Sequence, residues 1–221
     1  MGKALPIVRE GLWFIVPPAV LGLALVFGHP MIGGTLLVLA AFSAFFFRDP
    51  ERRIPASDGI VLSPADGRIV RIEEAGSECP LGEKATKMSI FLSIFDVHVN
   101  RAPISGCVKS VAYRKGSFLP AFVHSASEKN ERNTVTLDNG GTQVAFAQIA
   151  GIIARRIVFR KREGEVVDRG ERVGMIRFGS RVDVFLPSRA RILVTLGDRV
   201  RGGASILAEL SMDGKGNDEA S

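Results

Sequence analysis

The sequence predicts a mainly β domain, a flattened β-sandwich or barrel, preceded by an N-terminal α-helical membrane hairpin. Three observations carry this. No Lys, Arg, Asp or Glu occurs between Gly11 and Phe47. Beyond that stretch, short β-branched and aromatic runs alternate with Gly, Pro and Asn-Gly breaks. A Gly-acid-x-Val-x-x-Gly pattern occurs twice, at Gly164–Gly170 and at Gly197–Gly203.

One helix over the whole uncharged stretch would be roughly 55 Å long, far beyond a bilayer core of about 30 Å. Gly28-His29-Pro30 divides it into Leu12–Gly28 and Met31–Phe47. Each half makes about 25 Å of helix, enough to enter a bilayer deeply or to cross a thin one. Pro17-Pro18 predicts a kink in the first. Lys3 and Arg9 precede the pair and Arg48, Arg52 and Arg53 follow it. This basic flanking predicts that both ends, and the domain after them, lie on the cytoplasmic side of the cell (inner) membrane. A cleaved signal peptide competes for the first segment, but the second apolar run follows at once and no small-x-small site precedes a polar start. A soluble hairpin would have to hide a continuous apolar surface.

Arg48-Asp49-Pro50-Glu51-Arg52-Arg53-Ile54-Pro55 reads as a charged link. It divides residues 1–53, hairpin and link, from a β-rich domain at 54–221. Strands are expected at Ile60–Leu62, Arg68–Ile72, Met88–Leu92, Cys107–Tyr113, Thr134–Leu137, Gln143–Ile149, Ile157–Arg160 and Arg191–Leu196. Asp138-Asn139-Gly140-Gly141 is a hairpin turn, and the glycines of the twofold pattern belong at positive φ. At 221 residues and 46% hydrophobic content the chain can bury one sizeable core. A net charge of +6 suits an anionic membrane surface. With one Trp, one Tyr and no basic-aromatic interleaving, nucleic acid is not an expected partner. Cys79 and Cys107 have no metal spacing and are expected as reduced, structural thiols; no metal site is expected.

Two stretches bear chemistry. Gly179-Ser180 lies between the apolar runs Val173–Ile176 and Val182–Leu186, so a strand pair is expected to hold it taut at a turn. Gly179 has no Cβ to block a hydroxyl approaching its carbonyl, and Ser180 supplies that hydroxyl. In Phe95–Arg101, alternation along a strand puts Asp96 and His98 on one face, where a carboxylate fixes the imidazole tautomer. Asp66, followed by Gly67, has the form of a turn aspartate capping its own backbone.

Arg177-Phe178-Gly179-Ser180-Arg181-Val182-Asp183-Val184-Phe185-Leu186-Pro187 resembles the processing site of the phosphatidylserine decarboxylase proenzymes, in their short form. The resemblance extends to Ser63-Pro64-Ala65-Asp66-Gly67, Phe95–Pro103, Asn130-Glu131-Arg132-Asn133 and Ala150–Ile157, in the family's order from about Pro55 to about Leu207. It implies self-cleavage between Gly179 and Ser180 into a β chain, 1–179, and an α chain, 180–221, held as a heterodimer and open to further oligomerisation. It implies that Ser180 becomes a covalent pyruvoyl cofactor, and that phosphatidylserine is decarboxylated to phosphatidylethanolamine through a pyruvoyl–substrate imine. His98 is then the expected acid that protonates the α-carbon. Asp66 matches the family's aspartate that assists self-cleavage, alongside its turn reading. Arg155 and Arg156 could pair with the substrate phosphate or carboxylate, or face solvent or lipid headgroups. His29 and His124 read as non-catalytic.

Larger bacterial members carry a second histidine where this chain has Arg101, as the short form does. Either His98 serves both maturation and turnover, or Asp66 or Asp96 with water assists the cleavage. The twofold Gly-acid-x-Val pattern also resembles the turn-strand repeats of biotinyl and lipoyl domains. Two rival readings follow: a non-catalytic, membrane-anchored lipoyl-like adaptor, which predicts an intact chain, and a decarboxylase of another serine-headgroup phospholipid.

Overall fold

The computed structural model describes residues 6–76, 79–116, 130–151, 157–176 and 180–210. The chain divides into two units: Met1–Glu51 together with Phe95–Val97, and Arg52–Ile94 together with His98–Ser221.

The first unit is a helical hairpin, α1 (Arg9–Leu25) and α2 (Pro30–Phe46). At 17 residues each, the helices are about 25 Å long. No helix among the described residues is long and apolar enough to cross a membrane. Pro17 and Pro18 lie inside α1, which is assigned as one uninterrupted helix. Pro30 opens α2, where its missing N–H is no loss. The helices approach closely at two glycines: a Cβ on Gly33 would come within 2.5 Å of the Val26 backbone, and one on Gly22 within 3.0 Å of Leu37. The open ends are tied together by Val8 N–H donating to Phe47 O and Asp49 N–H to Pro6 O. Trp13, Phe27, Met31 and Val38 are 83, 96, 83 and 71% exposed.

The second unit is mainly β. In chain order its strands are β1 (Ile60–Leu62), β2 (Gly67–Glu74), β3 (Ala85–Leu92), β4 (Val99–Arg101), β5 (Gly106–Arg114), β6 (Arg132–Asp138) and β7 (Gln143–Ala150). Then come β8 (Ile157–Phe159), β9 (Val166–Val167), β10 (Arg172–Ile176), β11 (Ser180–Pro187), β12 (Arg191–Ile192), β13 (Arg199–Val200) and β14 (Ile206–Glu209). A curled eight-stranded sheet runs β13-β2-β3-β11-β7-β6-β5-β9, and two three-stranded sheets run β1-β14-β12 and β4-β10-β8. The main core lies on the face of the large sheet carrying Ile90, Leu92, Phe146, Val182 and Val184. All eight residues of β11 are buried.

These strands form two interlocked copies of one repeat. The first is β1–β3 with β11–β14; the second, β4–β10, lies in the chain between β3 and β11. Each copy turns a Pro-x-x-Gly corner, Pro64–Gly67 or Pro103–Gly106, into its long strand. In one copy Gly164 N–H donates to Val108 O and Val108 N–H to Glu165 O; in the other Gly197 N–H donates to Ile69 O and Ile69 N–H to Asp198 O. Gly164, Gly170, Gly197 and Gly203 all have positive φ, at 85, 79, 94 and 73°, as the twofold pattern predicts. The copies clasp each other reciprocally, Leu62 N–H to Pro103 O and Arg101 N–H to Pro64 O, both at 2.9 Å.

Two sequence expectations are corrected. The strands flanking residues 177–179 are not a pair: β10 bonds β4 and β8, whereas β11 bonds β3 and β7. The chain passes there from one sheet to another, because a whole repeat intervenes between β3 and its partner β11. The expected strand over Phe95–Arg101 is confined to Val99–Arg101, with Phe95 in a turn and Asp96 in a bend. Arg48 Nη2 donates to Phe95 O at 2.6 Å, which holds that segment with the hairpin instead.

Candidate active site

Ser180 opens β11 and stands opposite Leu92 at the end of β3 and Ala150 at the end of β7. Directly opposed residues share a sheet face, so its side chain belongs with the main core. It is 0% exposed, and its hydroxyl has no hydrogen-bond partner among the described residues. Leaving a buried hydroxyl unsatisfied costs about 1–3 kcal/mol, so a chemical role is the natural explanation. Gly179 lies outside the described residues, as do Arg155, Arg156 and His124.

His98 precedes β4 and is 1% exposed. Its carbonyl accepts the Ile176 N–H at 3.3 Å. Four Cα steps separate Ile176 from Ser180, so the two lie within about 14 Å. The fold thus brings His98 to the strand end that feeds the serine. Asp96 does not share a strand face with His98, since the strand begins only at Val99; Asp96 is partly buried and groups with the hairpin unit.

Asp66 has both oxygens engaged: Oδ2 accepts Arg52 Nη2 at 2.7 Å and Oδ1 accepts Gly202 N–H at 2.8 Å. At the matching corner of the other copy, Ser105 Oγ accepts Arg169 N–H at 2.9 Å. The backbone N–H that Asp66 accepts is thus not that of its own corner, as the turn reading expects, but that of Gly202 in the glycine turn before β14, so Asp66 ties two distant turns together. Arg101 donates to Gly170 O at 3.0 Å. A Cβ on Gly203 would come within 2.6 Å of its Cδ, so the guanidinium arm is packed between the two glycine turns.

A chain of buried amides missed by the sequence reading joins these pieces. Asn133 Nδ2 donates to Gln148 Oε1 at 3.0 Å, and Gln148 Nε2 donates to Asn100 Oδ1 at 2.9 Å. Asn100 Nδ2 reaches Pro64 O at 3.4 Å. Asn130 Nδ2 holds Ala150 O, opposite Ser180, at 2.8 Å. The corner at Pro64, the strand after His98 and the strand beside β11 are fixed to one another this way. Asparagines flanking a strand core, as in Asn130–Asn133, were the available signal, because amides are unfavourable there without buried partners.

The opposite face of β11 carries a second missed feature. Arg181 Nε and Nη2 lie 2.9 and 3.3 Å from Asp183 Oδ1 and Oδ2, with both side chains 1% exposed. Burial pushes the Arg181 guanidinium below its usual range; Asp183 opposes this, while Arg71 and Arg132 add to it. Among the described residues no three His, Cys, Asp or Glu side chains gather as a metal site, and Cys79 and Cys107 are free thiols.

A family model described as phosphatidylserine decarboxylase matches residues 39–208. The chain is 46% identical to a phosphatidylserine decarboxylase proenzyme of Syntrophus aciditrophicus, covering 91% of this chain and 96% of the relative. It is 43% identical to one of Carboxydothermus hydrogenoformans, covering 95 and 99%, and 48% identical to one of Saccharopolyspora erythraea, covering 83 and 78%.

Proposed function

The chain belongs to the phosphatidylserine decarboxylase family, and from that premise we propose a self-processing enzyme that converts phosphatidylserine to phosphatidylethanolamine. The observation that carries this reading is the Ser180 hydroxyl, fully buried and unpartnered among the described residues, at the head of the central strand.

In maturation Ser180 Oγ attacks the Gly179 carbonyl carbon and the amide becomes an ester. Loss of the Ser180 α-proton expels the β chain as a carboxylate and leaves dehydroalanine. Water then displaces its nitrogen as ammonia, leaving a pyruvoyl group on the α chain. Such a group supplies an electron sink conjugated to an amino acid's α-carbon, which no ordinary side chain provides. The residues present fit it: Ser180 is closed from water and opposed by the apolar Leu92 and Ala150. His98 holds the proton that the α-carbon takes once carbon dioxide has left. Arg155 and Arg156 offer guanidinium forks for the substrate phosphate or carboxylate.

The hairpin holds the enzyme at the cytoplasmic face of the inner membrane, so the headgroup need not leave the interface. The exposed Trp13, Phe27, Met31 and Val38 support this, and helices of about 25 Å suit deep entry. The interlocked repeats and their glycine turns support kinship with biotinyl and lipoyl domains. The β and α chains remain a heterodimer, because β11 is hydrogen-bonded to both β3 and β7.

The test is an intact-mass spectrum of the denatured protein. Two chains divided at Gly179–Ser180 are expected, the smaller with a mass fitting an N-terminal pyruvoyl, and one uncleaved, inactive chain for Ser180→Ala. A cleaved Ser180→Ala protein, or an active wild type of full length, would overturn the reading.

A further inference from the structure

We propose that Arg48 is a positioning residue for His98, coupling the histidine to the hairpin that the lipid surface holds. This rests on the reading of His98 as the proton donor. Arg48 follows α2, and its guanidinium fork donates to two carbonyls, Nη1 to Phe45 O at 2.7 Å and Nη2 to Phe95 O at 2.6 Å. The fork also lies 3.9 Å from the centroid of the Phe45 ring. Arg48 is itself anchored, since its backbone bridges Ile7 across the open end of the hairpin.

The held carbonyl stands three positions before His98. Phe95–Val97 groups with the hairpin, although the residues on either side belong to the β unit. From the other direction, the His98 carbonyl is tied to Ile176. The backbone leading into the imidazole is therefore held by Arg48 at a carbonyl three positions upstream. Phe95 is 64% exposed and groups with α1 and α2. Lysine could not replace the arrangement in full, because one ammonium lacks the planar fork that serves two carbonyls. Proton transfer needs hydrogen-bond reach, and a displacement near 1 Å costs up to about a hundredfold in rate.

The test compares Arg48→Lys, Arg48→Met and His98→Gln with the wild type in the full chain. Processing is followed by intact mass, and kcat, KM and the pH profile of kcat are measured on phosphatidylserine in mixed micelles. Arg48→Met is expected to lower kcat about tenfold with KM within about twofold and to shift the pH profile; Arg48→Lys restores part of the loss. Amide hydrogen exchange over Phe95–His98 should quicken in Arg48→Met while protection elsewhere holds, and this readout decides the matter if that variant is not processed. Unchanged kcat in both variants, a loss confined to KM, or unchanged local exchange would overturn the inference. If His98→Gln keeps full kcat, the proton-donor reading fails instead, whatever Arg48 does.

Discussion

Two hydroxyl residues occupy the same register position in the two copies of the repeat. Ser180 precedes Arg181, which opposes Phe91; Thr142 precedes Gln143, which opposes Asp138, the equivalent of Phe91. Each follows a glycine, Gly179 or Gly141. Thr142 closes a short surface turn: its N–H donates to Asn139 Oδ1 at 2.8 Å, and its hydroxyl accepts Arg189 Nη2 at 2.8 Å. Ser180 is sealed in the core with no partner among the described residues. The dipeptide chemistry is nearly the same in both places. What differs is that β6 and β7 are joined directly, while between β3 and β11 an entire repeat is inserted. The last strand of that repeat ends at Ile176, bonded to His98, and the Ser180 hydroxyl has no partner among the described residues.

The largest expected effect follows from that contrast. Ser180→Ala should abolish cleavage and activity, whereas Thr142→Ala should leave processing complete and stability within about 1 kcal/mol of the wild type; gel mobility and thermal melting check both. A cleavage defect in Thr142→Ala would break the comparison. Next comes the pair beyond each hydroxyl. The first copy buries Arg181 with Asp183, where the second has Gln143 and Ala145, and Gln143 reaches Asp138 Oδ2 at 2.9 Å. Asp183→Asn should cost about 3–5 kcal/mol in urea unfolding by stranding a buried cation, far more than Gln143→Ala.

A third prediction concerns the corner glycines, where the copies should agree. A Cβ would come within 2.2 Å of Phe91 O at Gly67 and within 2.4 Å of Asp138 O at Gly106. Both Ala variants should lose stability by at least about 1–3 kcal/mol. Gly67→Ala should also slow cleavage, since Phe91 lies beside Leu92 and Leu92 faces Ser180.

The smallest effect is electrostatic and confined to the second copy. Burial opposes ionisation of Glu171, but the Lys161 hydrogen bond, the Asp168 N–H and the Lys161 charge outweigh it and hold the carboxyl below its usual range; the hydrogen bond to Glu171 in turn raises Lys161. The Glu171 contribution is present above the unfolded carboxylate value near pH 4.3 and is lost as pH falls through the lower folded value. The Lys161 contribution is present below about pH 10.4 and is lost as pH rises through the higher folded value. Glu171→Gln should cost no more than about 1 kcal/mol at pH 7, with the deficit fading below about pH 4. A deficit independent of pH would remove the ion pair as its cause.

Much of the fold was legible because its signals are local. The uncharged stretch divided at Gly28–Pro30 became two helices, and the twofold glycine pattern became four positive-φ turns. The duplication behind that pattern was harder to see. Its other half, Pro64–Gly67 against Pro103–Gly106, shares only two residue types, and the second copy interrupts the first. That interruption also separates sequence neighbours around Gly179–Ser180, since β10 and β11 follow one another in the chain but lie in different sheets. Ser180 and His98 stand out in the sequence as residue types, and the structure buries both. The amide chain through Gln148 was not legible, because its four segments meet only after the sheets close. Asp96 was misplaced because a tertiary contact from Arg48 overrode strand alternation.

The way one repeat sits inside the other makes the second folding of this protein a different reaction from the first. While the chain is whole, β11 finds its slot between β3 and β7 in a unimolecular search. Once the bond at Gly179–Ser180 is cut, β11–β14 belong to a separate molecule, and neither thiol, Cys79 or Cys107, lies on it to tether the two. Refolding after complete denaturation then becomes a second-order reaction whose yield depends on concentration. The mature enzyme persists because β11 is hydrogen-bonded along both edges, and its strands come apart only together.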